Sequence, residues 1–215
     1  FFTATIKLTS NSQAVQREFA MTVRHLQTVP GFQSWNDFFT ASVSLIDSGD
    51  NVLSDYTMTV RHLSLPQFHF SNWEEFFKGA VSLSQKKTHL IPFFTTIRHS
   101  LNYFKKPATM VSIIKNLSSS APLHSYEAYS FGQLESKRWL VDEFTDIQGK
   151  NWGTVFVLAG WIGSLSQLIF DSSDIQVEKI RSFDLDEVAC KLGDKLNNAQ
   201  VLDGWKYKSV CMDVS

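Results

Sequence analysis

Between residues 13 and 104 apolar side chains return every three to four positions, the spacing that lines one face of a helix. Val15, Phe19, Val23 and Leu26 form one such stripe, and Trp35, Phe38, Phe39 and Val43 form a second. Trp73, Phe76, Phe77, Ala80 and Val81 form a third, and Phe93, Ile97, Leu101 and Phe104 a fourth. Ser71-Asn72-Trp73-Glu74 has the form of a capping box, Gln13–Glu18 is built of helix formers, and Pro92 suits a first helical turn. A strand pattern competes with this one. Phe39, Ala41, Val43 and Leu45 alternate with Thr40, Ser42 and Ser44, Asp47-Ser48-Gly49-Asp50 is turn-like, and Thr57–Arg61 favours β structure by propensity. The recurrence of Trp and Phe-Phe at helical spacing predicts αα-hairpins, with β-hairpins as the alternative.

These stripes belong to a repeat. Phe19–Leu45 aligns with Tyr56–Leu83, and a looser third copy occupies Phe93–Leu101. His25 and His62 lie 37 residues apart, Trp35 and Trp73 38 apart. Phe1-Phe2 before Thr3 matches Phe38-Phe39 before Thr40, so the repeat is expected to extend upstream of residue 1. Units of this period bury their apolar faces by stacking on one another. Each copy carries an Arg-His pair: Arg24-His25, Arg61-His62 and Arg98-His99. Placed near helix C-termini, such cations offset the macrodipole; on a solenoid face they would follow the phosphates of single-stranded RNA.

The pattern changes after Lys105-Lys106-Pro107, giving tandem repeats over 1–107 and a linker and aromatic segment over 108–135. That segment holds a short helix at Val111–Leu117, a polar stretch ending at Pro122, and Tyr126, Tyr129 and Phe131. From 136 to 215 helical and strand periods alternate: a helix at Ser136–Ile147, a strand at Thr154–Leu158 and a helix from Ser164. A strand at Val177–Phe183, a helix carrying Val188, Leu192 and Leu196, and a strand at Trp205–Asp213 follow. The first strand is continuously apolar and β-branched, which predicts a parallel strand buried on both faces. Gly160 and Gly163 punctuate the turn after it, and Asp184 follows Gly163 by 21 residues. Glycines that let a ligand near the backbone, a helix N-terminus, and a carboxylate at the end of the next strand together make a nucleotide site.

This half of the chain resembles the start of a class I S-adenosylmethionine-dependent methyltransferase domain, a Rossmann-like fold, over about Ser136–Ser215. In that family the first strand ends in a GxGxG turn; here the turn is Ala159-Gly160-Trp161-Ile162-Gly163, with the last glycine in place. Phe183-Asp184-Leu185-Asp186 resembles the acidic end of the second strand and Val210-Cys211-Met212-Asp213 the end of the third. The resemblance implies S-adenosylmethionine as cofactor, bound by Gly160, Gly163, Asp184 and Asp213, with Asp184 on the ribose and Asp213 on the adenine amino group. Methyl transfer is an in-line displacement that depends on positioning, so no protein nucleophile is demanded.

Composition narrows the classes further. Among 215 residues, 43% are hydrophobic and the net charge is −1, which suits globular domains and gives no overall footprint for nucleic acid. Cys190 and Cys211 lack metal-ligand spacing and suit buried, reduced thiols in an intracellular protein. No apolar run is long enough for a membrane span. The expected architecture is α+β overall, with helical repeats preceding a partial Rossmann-like unit. The expected function is a methyltransferase-like protein whose repeats recruit a protein or RNA partner. A non-catalytic interaction or structural protein with a degenerate α/β scaffold is the alternative.

Overall fold

Helical spacing prevails over strand alternation in the first half of the chain. The structure is a computed structural model that describes residues 8–119, 121–198 and 206–212. It is α+β, mostly helical, with one three-stranded parallel sheet. The chain divides into two compact units, Phe1–Leu101 and Asn102–Ser215. The first contains helices α1 (Gln13–Leu26), α2 (Trp35–Leu45), α3 (Asp50–Leu63) and α4 (Trp73–Leu83), and most of α5 (Lys87–Tyr103).

In α2 the buried positions are Phe38, Ala41, Ser42 and Leu45, a helical stripe that cuts across the alternating set. The polar members of such stripes are satisfied within their own helices. The hydroxyls of Thr22, Ser42 and Thr59 donate to the carbonyls of Glu18, Phe38 and Asp55, each four residues back, at 2.9, 2.6 and 2.7 Å. A β-rich composition therefore enters helices while these buried hydroxyls stay paired. Pro92 lies inside α5, not in its first turn, and its ring nitrogen has no hydrogen to offer the preceding turn.

Each helix packs on its counterpart one copy later, α1 on α3 and α2 on α4. Between them runs a column of stacked rings, one from each of the five helices. Phe19 stacks on Phe38 at 5.5 Å between centroids, Phe38 on Tyr56 at 5.9 Å, Tyr56 on Phe76 at 6.3 Å and Phe76 on Phe93 at 6.1 Å. All five side chains are buried. Stacked pairs contribute roughly 0.5–1.5 kcal/mol each beyond the burial of their surface. The tryptophans that mark the repeat are only half-buried. Trp35 and Trp73 both meet the edge of Phe32, at 5.1 Å each, so they close the rim of the core rather than fill it.

The Arg-His pairs do more than offset helix dipoles. Arg61 pairs with Glu18, and Arg98 pairs with Asp55 at 2.9 Å, each reaching an acid 43 residues back in the preceding copy. Arg98 also donates to the hydroxyl of Thr59. His25 Nε2 lies 2.7 Å from Ser64 Oγ, a third link of similar span. Only Arg24-His25 and Arg61-His62 occupy last turns; Arg98-His99 does not.

The second unit begins with α6 (Pro107–Ser119), longer than expected because Pro107 opens it and Asp171 accepts the N–H groups of Lys105 and Lys106 just before it. After a 3-10 segment at Leu123–Tyr129 come α7 (Phe131–Gln148), β1 (Asn151–Leu158), α8 (Ser164–Asp171), β2 (Gln176–Asp184), α9 (Glu187–Leu196) and β3 (Tyr207–Cys211). The strands are parallel in the order β1-β2-β3. Two same-handed crossovers along one direction put α8 and α9 on the same face of the sheet. That face is buried, with Ile180, Ser182, Tyr207 and Ser209 beneath the helices. The expectation that β1 is buried on both faces is corrected: Phe156 and Leu158 are exposed on the opposite face, because no described element covers it.

The difference in burial between the two arginine links is measurable. Arg98 and Asp55 are 16% and 14% exposed, Arg61 and Glu18 31% and 34%. Arg98→Met should cost about 3 kcal/mol in denaturant unfolding, because it leaves a buried carboxylate unpaired. Arg61→Met should cost less than about 1 kcal/mol.

Candidate functional site

The chain reverses between β1 and α8 within the segment 159–163. Ala159, Trp161 and Gly163 all adopt left-handed backbone, with φ of 52°, 45° and 74°. For Ala159 and Trp161 this costs about 1–2 kcal/mol each. The turn is held by its neighbours. Gly160 N–H donates to Phe183 O and Gly163 N–H to Gly160 O, both at 2.9 Å. Trp161 N–H donates to Asp184 Oδ2 at 2.8 Å, and Asp186 N–H donates to Asp184 Oδ1 at 3.0 Å. Asp184 thus stands at the carboxyl end of the central strand, half-buried, with each oxygen tied to a backbone N–H.

Packing accounts for both glycines of the turn. A Cβ on Gly160 would lie 1.9 Å from Ser182 Oγ, and one on Gly163 would lie 2.5 Å from the Tyr207 hydroxyl and 2.8 Å from Asn197 Nδ2. The turn is pressed onto β2, β3 and α9, and close ligand approach is not needed to explain why side chains are missing there. Trp161 stacks on His124, with centroids 6.2 Å apart and planes 11° from parallel. Gly160, Gly163 and Asp184 are therefore brought together at one end of the sheet. Asp213 lies outside the described residues, two positions beyond Cys211, which pairs in register with Asp184.

Other expected residues have structural duties. Asp186 caps α9, its carboxylate accepting from the N–H groups of Val188 at 2.8 Å and Ala189 at 3.2 Å. Tyr126 and Tyr129 are buried, their hydroxyls donating to Leu117 O and Gln167 Oε1. Cys190 is buried, and burial first, then its hydrogen bond with Cys211, pushes its thiol up to about 12. Cys211 is exposed, which corrects the expectation of two buried thiols. It closes the ladder at an edge strand, where no described element covers it.

Lys137 is the residue that periodicity passed over. It lies on α7 between the buried Leu134 and Val141, so the helix turns its ammonium inward. Nζ donates to Ser164 Oγ at 2.8 Å and to Ala128 O at 3.2 Å, at the first residue of α8. Burial brings its pKa down to about 8. A lysine three positions after the first buried residue of an amphipathic stripe was the available signal.

Chemically, the end of the sheet offers an acceptor on β2, a cation beside the first turn of α8, and an aromatic pair at Trp161 and His124. Among the described residues no group of three or more His, Cys, Asp or Glu could hold a metal, and no helix is long and apolar enough to cross a membrane. Comparison with protein-family models, curated proteins and solved structures finds no match.

Gly163→Ala combines a left-handed backbone with a close contact, so it should cost about 2–4 kcal/mol in thermal or denaturant unfolding. Lys137 gives a pH signature. In the unfolded chain its pKa returns to the ordinary 10.5, so between about pH 8 and that value unfolding takes up a proton and stability rises with pH. Lys137→Met should abolish this rise, seen as a change with pH in the stability difference between wild type and variant.

Proposed function

We propose that the carboxyl end of the sheet binds S-adenosylmethionine and that the protein serves methyl transfer, with residues 136–215 as a partial Rossmann-like unit. The observation that carries this is Asp184. A carboxylate at the end of the central strand, steadied by Trp161 N–H and Asp186 N–H, keeps further lone pairs for the two ribose hydroxyls. The donor set fits the rest of the cofactor: Lys137 and the first turn of α8 supply positive potential for its carboxylate. The left-handed Ala159 and Trp161 support the same reading, since backbone strain of this kind gathers at binding sites. When bound, the cofactor supplies an electrophilic methyl on a sulfonium; the protein's part is to hold it and the acceptor in line.

In this proposal the helices of the first unit are αα-hairpin repeats that recruit the acceptor. Arg61 and Arg98 are committed to Glu18 and Asp55, which favours a protein over an RNA partner for that surface. The free thiols Cys190 and Cys211 suit an intracellular location. A second reading, a non-catalytic interaction protein, is favoured by one specific fact: packing alone explains Gly160 and Gly163.

Calorimetric titration with S-adenosylmethionine and S-adenosylhomocysteine separates the two. Saturable binding is expected. Asp184→Asn keeps one oxygen for the Trp161 N–H but loses the charge, and should weaken binding about ten- to a hundredfold with unchanged circular dichroism. Absence of saturable binding to the wild type would leave the interaction protein standing.

A further inference from the structure

The face of the sheet that α8 and α9 leave uncovered has a composition of its own. On the helix face Ile180, Ser182, Tyr207 and Ser209 are buried, and the register sets Val155 and Val157 beside Ile180 and Ser182. Side chains alternate along a strand, so the residues between these point to the opposite face. In register they form rows across the three strands. Phe156, Arg181 and Lys208 make one row, and Leu158, Phe183 and Val210 the next. Thr154 pairs with Lys179 in a third, beside Lys206 at the start of β3.

Cations and rings are interleaved on this face. Lys179, Arg181, Lys206 and Lys208 lie on it, and the stretches 154–158, 179–183 and 206–210 contain no acid. Glu178 and Asp184 flank the middle stretch, and cations remain in excess when both are counted. Phe156 is 63% exposed and lies 5.9 Å from Phe183 between centroids, with planes 35° apart. Arg181 Nη1 donates to Ile180 O at 3.0 Å, which keeps the guanidinium close to its own strand, in the row between Phe156 and Lys208. A second copy of the chain packed on this face would set the four cations against their equivalents, and an apolar partner would bury them without counter-charge. Their sign calls for a polyanion, and the exposed rings for one that has flat faces to stack.

We propose that the open face of the sheet binds single-stranded RNA, with bases stacked on Phe156 and Phe183 and phosphates met by Lys179, Arg181, Lys206 and Lys208. Three strands and three rows span roughly 10 by 14 Å, which suits the two or three bases that a sheet face stacks on its aromatic residues. A duplex keeps its bases stacked inside and offers none to the rings, so the strand must be single. Thr154, exposed in the row of Lys179, brings a hydroxyl for the 2′-OH that separates RNA from DNA. The arginines of the repeats take no part. Binding here is independent of S-adenosylmethionine, because Asp184 and the 159–163 turn lie at the carboxyl end of the strands and the rows lie across their middle.

Fluorescence anisotropy of the full chain with a labelled twelve-nucleotide oligouridylate, and with the oligodeoxyuridylate of equal length, tests this across a range of salt. Saturable binding to the RNA is expected, weaker for the DNA. Phe156→Leu keeps an apolar side chain beside Phe183 but removes the ring, and should weaken binding by roughly ten- to a hundredfold. Lys179→Gln with Lys208→Gln changes two exposed side chains and should lower the slope of log K against log salt by about 1.4, or about 0.7 for each phosphate contact. Circular dichroism should be unchanged in both variants. Should Phe156→Leu fail to fold, cross-linking of a 5-iodouridine RNA to Phe156 or Phe183 of the wild type supports the site equally. No binding by the wild type would overturn the proposal, as would DNA bound as tightly as RNA. Binding weakened by the lysine changes but not by a folded Phe156→Leu would also overturn it, because charge alone would then suffice, as for any acidic partner. Binding that neither variant alters would place the RNA elsewhere on the chain and overturn it too.

Discussion

The first unit is governed by the stack of rings from Phe19 through Phe38, Tyr56 and Phe76 to Phe93. Rings in near-parallel contact must come from helices that arrive at a fixed spacing, so the column sets which positions of each helix face inward. The repeat follows from it: Phe19, Tyr56 and Phe93 are separated by 37 residues each, and Phe38 and Phe76 by 38. The arginine links carry the same period on the outside of the stack, each joining one copy to the copy before it. Tyr56 adds a polar tie, its hydroxyl donating to Phe38 O at 3.1 Å, and its burial raises its pKa well beyond the ordinary range.

In the second unit the governing constraint is the one-sided sheet. Both crossovers place their helices on one face, so the buried face must accommodate a tight turn, two helices and a buried tyrosine. Tyr207 is the point of closest approach: its hydroxyl would lie within 3 Å of a Cβ on either Gly163 or Gly193. The turn thus has small residues because β3 and α9 press on it, and its N–H at Trp161 is taken by Asp184. The same corner holds the Asp184 carboxylate, which accepts from the N–H groups of Trp161 and Asp186.

Much of this was legible because it depends on local periodicity. The helices of the repeat and the alternation of helix and strand after residue 130 each follow from spacing within a few turns. Less visible were features that depend on what lies across a contact. Trp35 and Trp73 look like core residues by size and recurrence, yet Phe38 and Phe76, one turn on, hold the centre. The stripe Trp139, Leu140, Phe144 and Ile147 has the form of an inward face, and α7 instead buries Leu134 and Val141. Lys137 was passed over for the same reason, since its inward direction is set by which stripe of α7 meets α8.

The sequence by itself determined the period of the repeat, the apolar positions from which the ring column is drawn, the order of strands and helices, and the position of Asp184 at a strand end. These are consequences of spacing along the chain, and spacing is what a sequence records. Tertiary structure alone decided that Arg61, Arg98 and His25 link neighbouring copies, that packing accounts for Gly160 and Gly163, and that one face of the sheet is left uncovered by any described element. Those outcomes depend on distances between residues far apart in the chain, and on the handedness of two crossovers, neither of which any local pattern of apolar and polar residues encodes.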